Sequence, residues 1–527
     1  MKNETRLALI LKEAEHQLSQ GAFRAAHGAC IEVLKSDPDN AEAFYLLGRL
    51  TAQHDNHTKA CELYSRAIAL DGKAARYYAY FAQVLTILGR QNHAKDVIDQ
   101  AANLPIEDAY VADTIGVVYS RTGFHEKAIP FFEKAVSMDM RPANFHYNMA
   151  ASHQFLGEFS KAELAYQSTL SRDPAHYRAW SSLVALARQT PKTNHLDQLV
   201  LLFEQHSSNA DAALHLGHAI AKTLEDLGRY EESLQWLQKA KEKKRNSLPS
   251  NSFNYSGLFE AAKQTSQSLQ SSAGTEATSA SPIFIFGLPR TGTTLVDRIL
   301  SSHPDVVSAG ELNVFAGLIK EATQTRSNMV MDPETLIAAS DIPMDTIGQM
   351  YIKNTIELAR GADRMTDKMP LNFFYAALIH RAMPNAKMIV LRRGAMDSCL
   401  SNYRQLFTVQ HSYYNYTYDL ADTAQFYQGF DHLMTQWRDV LPANRFMEVR
   451  YENIVHDQEN QTRRLLEFCD LPWNDACMRF HENSAPVSTA SSVQVRQPLY
   501  SGSIGRWKRY GEQLNGLLSD LRNLAED

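Results

Sequence analysis

Residues 282–304 read PIFIFGLPRTGTTLVDRILSSHP. A short run of β-formers (IFIF) enters a glycine-containing loop, and a segment of helical period (TTLVDRILSSH) leaves it. That order predicts strand, loop and helix, with backbone N–H groups gathered at a helix N-terminus where the dipole favours an anion. Within 289–294, Gly292 lets the backbone approach a ligand. Thr293 and Thr294 add hydroxyl donors and Arg290 a fixed charge, with Pro289 and Thr291 between them. Two further buried-strand candidates follow, AKMIVLRR ending at Arg392–Arg393 and RFMEVRYENI around 445–454. Helical segments separate them, so residues 282–527 are expected to form an α/β domain with a parallel central sheet.

A nucleotide triphosphatase or kinase is the first chemistry to test against this loop. The Walker pattern requires Lys where Thr293 stands, and that Lys reaches the terminal phosphates. The strand that should end in a Mg²⁺-binding Asp ends in two arginines instead. An anion held by arginine and backbone, without a metal, is the expectation.

Upstream, the sequence repeats with a period of 34. Alanine recurs at Ala26, Ala60, Ala94, Ala128 and Ala162, and a turn residue precedes each at Gly21, Asp55, Gly89, Gly123 and Gly157. A second small position holds Ala67, Ala101 and Ala135. Small residues fit where paired helices approach, and glycine fits a left-handed turn. Each such unit buries its apolar face only against its neighbours. These residues resemble the tetratricopeptide repeat over about 6–174, in five units. Residues 175–242 are helical but drift out of register. The expected division is a repeat solenoid over 1–242, a Ser/Thr-rich linker over 243–281 with one short helix near 257–269, and the α/β domain over 282–527. The resemblance implies a surface for a protein or peptide partner.

The formal net charge of −6 argues against a general nucleic-acid binder. Five cysteines without a C-x-x-C pair argue against a disulfide framework or a zinc ribbon. No signal-peptide pattern and no apolar run of membrane-spanning length is visible, so no membrane association and a cytoplasmic location are expected. Dimerisation through either half is compatible with the sequence.

PIFIFGLPRTGTTLVDRILSSHP and MIVLRRGAMDSCLSNY together resemble the sulfotransferase family, and among its members the tyrosylprotein sulfotransferases and bacterial repeat-bearing sulfotransferases. The first phrase is similar to that family's 5′-phosphosulfate loop. The second is similar to its 3′-phosphate segment, an Arg and a Ser eight residues on, here Arg393 and Ser401 with Asp397 between. The resemblance implies the donor 3′-phosphoadenosine 5′-phosphosulfate, the product adenosine 3′,5′-bisphosphate and no metal. It implies Glu311 as the base that takes the acceptor's proton, with His303 as its rival. Lys368 and Arg290 would stabilise the leaving group. Tyr451, Ser492 and Arg506 match positions that contact the nucleotide, and Arg496 or Lys508 could substitute for the last. Arg404 stands one residue off a basic position of the tyrosine enzymes and is not carried over.

The expected acceptor is protein or peptide tyrosine presented by the repeats; the alternatives are a small-molecule, carbohydrate or lipid hydroxyl and, further off, an ATP-dependent kinase or an inactive repeat scaffold. The aromatic segment 411–430 is read equally as an acceptor pocket or as helix packing.

Overall fold

The computed structural model describes residues 2–271, 281–327, 329–359, 361–362, 364–408, 412–483, 485–487, 489 and 493–524. It divides into two compact units, Met1–Pro174 and Ala175–Asp527.

The first unit is built of five helix pairs: Lys2–Ser19 with Phe23–Ser36, Ala41–Gln53 with His57–Leu70, Ala75–Ile87 with Gln91–Ala102, Ala109–Arg121 with His125–Met138, and Ala143–Leu156 with Phe159–Arg172. The five periodic alanines are all buried. The five turn residues all have positive φ, from 58° at Asp55 to 85° at Gly123. At each turn the next two N–H groups close the helix end. In the third pair Gly89 donates to Thr86 O and Arg90 to Leu85 O, at 3.2 and 2.9 Å. This left-handed cap satisfies carbonyls that the helix end would otherwise orphan.

The second unit begins with helices Tyr177–Leu186, Leu196–His206, Ala210–Asp226 and Tyr230–Asn246. Five parallel strands follow: β1 (Ile283–Gly287), β2 (Val306–Ser308), β3 (Arg364–Asp367), β4 (Lys387–Arg392) and β5 (Phe446–Arg450), in the order β2-β3-β1-β4-β5. The central strands are buried on both faces, which is why they read as unbroken apolar runs rather than alternating ones. Phe284, Phe286, Met388 and Val390 enter one core, and Ile283, Ile285, Ile389 and Leu391 the other. Strands β2 and β3, of three and four residues, escaped the sequence reading because so short a run has no period to detect.

The units part at 174–175, whereas the sequence suggested 242. Ala221, Leu234 and Leu237, from the two helices spanning 210–246, belong to the same core cluster as Phe284 and Phe286. The buried Lys241 donates to Thr417 O at 2.9 Å. The expected linker also contains a core helix, Ser256–Thr265, whose Leu258, Phe259, Ala261 and Ala262 are buried. The Ser/Thr-rich stretch 272–280 lies outside the described residues. Among the described residues no helix is long and apolar enough to cross a membrane.

Candidate functional site

Every strand of the parallel sheet delivers an expected site residue just beyond its C-terminal end. β1 leads into 289–294, β2 toward Glu311, β3 into Lys368, β4 into Arg393 and β5 into Tyr451. The carboxyl edge of such a sheet is where ligands bind in open α/β folds.

The loop after β1 is fixed by close contacts. Gly287 has φ 148°, and a Cβ there would stand 2.6 Å from Leu391 O on β4. Gly292 has φ 106°, and a Cβ there would meet the Tyr451 ring at 2.8 Å. Arg290 sits between them in the left-handed region at φ 68°. Thr291 is buried, its hydroxyl donating to Leu288 O at 2.7 Å. Helix Thr293–Leu300 then starts with Thr293 and Thr294 both buried. Asn402 holds the loop from outside by donating to Pro289 O at 2.8 Å, and its own carbonyl accepts from the Tyr416 hydroxyl at 2.8 Å.

The two arginines closing β4 part company. Arg392 pairs with Asp431 and sits over the Phe430 ring. Arg393 turns to the loop. Its Nη1 donates to Arg290 O at 2.9 Å and to Ser401 Oγ at 3.2 Å, and its guanidinium lies 5.0 Å from the Tyr451 ring centre. Asp397 stands 3.9 Å away. Arg393 Nε is a buried donor that lacks a partner among the described residues. Burial and the neighbouring Arg393 pull the Arg290 guanidinium down to about 10. So crowded a cationic site favours an anion that neutralises it.

Glu311 and Lys368 form an ion pair, the lysine fully buried and the carboxylate one-third exposed. Lys368 N also donates to Gly310 O at 2.9 Å, lacing the ends of β2 and β3 together. His303 is committed elsewhere. Its Nδ1 accepts from Asp305 N at 3.2 Å and its Nε2 faces Pro472 O at 3.0 Å, so one ring nitrogen holds the local turn and the other a distant backbone carbonyl.

The C-terminal segment crosses the loop. Arg290 donates to Gln494 Oε1 at 2.9 Å, Arg393 to Ser503 O, and the Tyr451 hydroxyl pairs with Ser503 Oγ at 2.7 Å. Asp397 accepts from Gly505 N and Trp507 N at 2.6 and 3.2 Å. Ser492 lies outside the described residues. Arg506 turns to Glu225 on helix 210–226, with Nε at 2.8 Å and Nη2 at 2.6 Å. Arg404 pairs with the other oxygen of the same buried carboxylate. Arg496 donates to Ala485 O at 3.4 Å, and Lys508 is exposed.

The rings of the aromatic segment, described from residue 412 onward, pack on one another and on Phe407. Tyr416 stacks on Phe426 at 3.8 Å in the core, with Tyr427 and Phe430 buried nearby, which is packing. Tyr414 stacks on Phe407 at 4.5 Å and is half-buried. Burial, with Glu311 adding to it, raises the Tyr414 hydroxyl above the usual tyrosine range.

Sequence reasoning missed Asn402, Gln494, Ser503 and Glu225. They lie in helical or irregular runs, and the groups they bond at the site, on Pro289, Arg290, Tyr451 and Arg506, are 52 to 281 residues away.

Residues 282–475 match the sulfotransferase family. Residues 11–75, 111–139 and 218–246 match tetratricopeptide repeats. An uncharacterized protein of Aquifex aeolicus (strain VF5) is 31% identical over 312 residues, 58% of this chain and 41% of that protein. Protein-tyrosine sulfotransferase of Drosophila melanogaster is 27% identical over 260 residues, 46% of this chain and 50% of its own length. Protein-tyrosine sulfotransferase 1 of Danio rerio is 26% identical over 246 residues, 43% of this chain and 65% of the relative. The chain thus spans about half the length of these curated relatives. Over residues 282–475 the chain matches the sulfotransferase family model, and it matches tetratricopeptide-repeat models over 11–75, 111–139 and 218–246.

Proposed function

We propose that the chain transfers the sulfonate group of 3′-phosphoadenosine 5′-phosphosulfate to an acceptor hydroxyl, with protein or peptide tyrosine as the acceptor and the repeats as the surface that recruits it. The observation that carries the donor is Arg393. It is buried against the phosphate loop, bonded to Arg290 O and Ser401, with Nε available to an anion. A donor with separate 3′ and 5′ anionic groups needs two cationic positions side by side, and Arg290 with the loop amides makes the second. Thr293 in place of the Walker lysine argues against ATP.

In this reading Glu311 takes the acceptor's proton as the oxygen attacks sulfur. Lys368 and Arg290 oppose the charge that develops on the leaving bisphosphate. Phe407 and Tyr414 stack on each other, and flat apolar faces of this kind suit an aromatic ring, which supports a phenolic acceptor over a carbohydrate or lipid hydroxyl. A small phenol is the second reading on the same ground. The five free cysteines are consistent with a reducing, cytoplasmic setting.

Calorimetric titration with adenosine 3′,5′-bisphosphate, AMP, and ATP with Mg²⁺ tests the donor. The bisphosphate is expected to bind selectively, and Arg393→Ala to weaken it roughly 10–100-fold, the worth of one or two charged hydrogen bonds. Preference for ATP with Mg²⁺ would overturn the reading in favour of a kinase.

A further inference from the structure

The Glu311–Lys368 pair comes from the ends of two short edge-side strands, yet it must work against a donor held at the loop after β1. One buried side chain joins these parts. Asp297 lies on helix Thr293–Leu300, four residues beyond Thr293, and is 5% exposed. Its Oδ1 accepts from the Thr366 hydroxyl at 2.5 Å and its Oδ2 from the Ser308 hydroxyl at 2.9 Å. Thr366 is on β3, two residues before Lys368, and Ser308 ends β2, three before Glu311. Ser308 Oγ accepts in turn from Gly310 N at 3.2 Å, at the left-handed turn that leads into Glu311. Ala309 N donates to Thr366 O at 2.9 Å, which locks the two strand ends to each other. Burial disfavours the ionised form of Asp297 and raises its pKa, and the two hydroxyls and the charge of Lys368 oppose that. A carboxylate kept at that cost, with both oxygens directed at the turns that carry the catalytic pair, is suited to placing them.

We propose that Asp297 is a positioning residue for transfer, fixing Glu311 and Lys368 relative to the phosphate loop through Ser308 and Thr366. The proposal rests on the sulfotransferase reading above. Misplacement of a reacting group by about 1 Å can cost about 100-fold in rate, so one bridging carboxylate has leverage over both residues.

A double-mutant cycle on the full chain tests it, with adenosine 3′,5′-bisphosphate as the probe and calorimetry as the readout. Lys368→Ala is expected to weaken binding roughly tenfold or more in the native background, as for loss of a charge-assisted hydrogen bond. In Asp297→Asn, where Lys368 is no longer held in place, the same substitution should change affinity by less than about twofold. Thr366→Val should behave like Asp297→Asn, and Thr366→Ser, which keeps the hydroxyl, like the native protein. The Thr366 pair keeps the question answerable if Asp297→Asn fails to fold.

A residue that only stabilises the core would lower the melting temperature while Lys368→Ala kept its full effect in every background. That result overturns the proposal, as does a Lys368→Ala without effect in the native chain. Absence of bisphosphate binding to the native protein is a distinct outcome, which removes the donor assignment and the proposal with it.

Discussion

Glu311 reaches its place from a turn and Lys368 from a strand end, and they meet as an ion pair with the lysine sealed from solvent. In the proposed chemistry Glu311 is the proton acceptor. Glu311→Gln keeps the shape and removes the base, so kcat should fall about 10²–10⁴-fold, the usual worth of general-base catalysis. Bisphosphate affinity should change little, because the carboxylate takes no part in holding the anion. Single-turnover transfer to a tyrosine peptide, with calorimetry alongside, separates the two, and a parallel loss of affinity would refute the role. Glu311 and Lys368 were legible only through the family resemblance, since the strands that lead into them, of three and four residues, carry no period. Asp297 and Asn402 were not, because a polar residue in a helix looks solvated until the fold brings Thr366 or Pro289 beside it. Arg506 was expected at the nucleotide phosphates, and its pairing with Glu225, 281 positions earlier, was not legible in the sequence.

Among the elements, the repeat helices show how one residue type can have opposite effects in one array. Gly28 lies on an exposed helix face with open space around its missing Cβ. Gly116 faces the next helix so closely that a Cβ would stand 2.6 Å from the Phe132 ring. The same position two repeats earlier is Gly48, where a Cβ would lie 2.7 Å from Tyr64. Gly28→Ala should therefore stabilise the array by about 0.5–1 kcal/mol, from helix propensity alone. Gly116→Ala should destabilise it by about 1–3 kcal/mol, because overpacking outweighs the propensity gain. Thermal unfolding of the two variants decides it, and equal shifts would refute the packing argument. The alanine period exposed this architecture in the sequence. The Gly48/Gly116 position was harder to see, since its alternation with Ala82 and Ala150 makes sense only once the first helix of each pair is seen to meet an aromatic ring of the second, Tyr64 or Phe132. Strands β2 and β3 were illegible for a different reason, being too short to carry a pattern.

At the scale of the whole molecule, the boundary of repeat-like sequence and the boundary of folding do not coincide. Residues 218–246 match a tetratricopeptide repeat, yet their helices supply Ala221, Leu234 and Leu237 to the core around β1. They also supply Glu225, which holds Arg404 and Arg506, and Lys241, buried under Tyr403 and Tyr418. Burial draws the Lys241 ammonium down to about 7, so that charge is a cost below neutrality, tolerated for the bond to Thr417 O. A fragment beginning at Ala175 keeps all of this, and one beginning at 247 loses it. The 175–527 fragment should unfold cooperatively and bind adenosine 3′,5′-bisphosphate with an affinity within about twofold of the full chain, since it retains every charged group of the site. The 247–527 fragment should aggregate or bind no bisphosphate, because loss of the helices over 210–226 and 230–246 uncovers apolar core and frees the C-terminal segment from Glu225. Glu225→Gln in the full chain isolates the electrostatic part. It leaves Arg404, pulled by burial to about 10, facing a neutral amide. Loss of one partner of a buried pair costs about 3–5 kcal/mol. Denaturant unfolding of the variant and calorimetry on both fragments measure these effects. A 247–527 fragment that is monomeric, folded and fully competent to bind would mean that the helices of 210–246 serve the repeats alone, and that the sulfotransferase core closes without them.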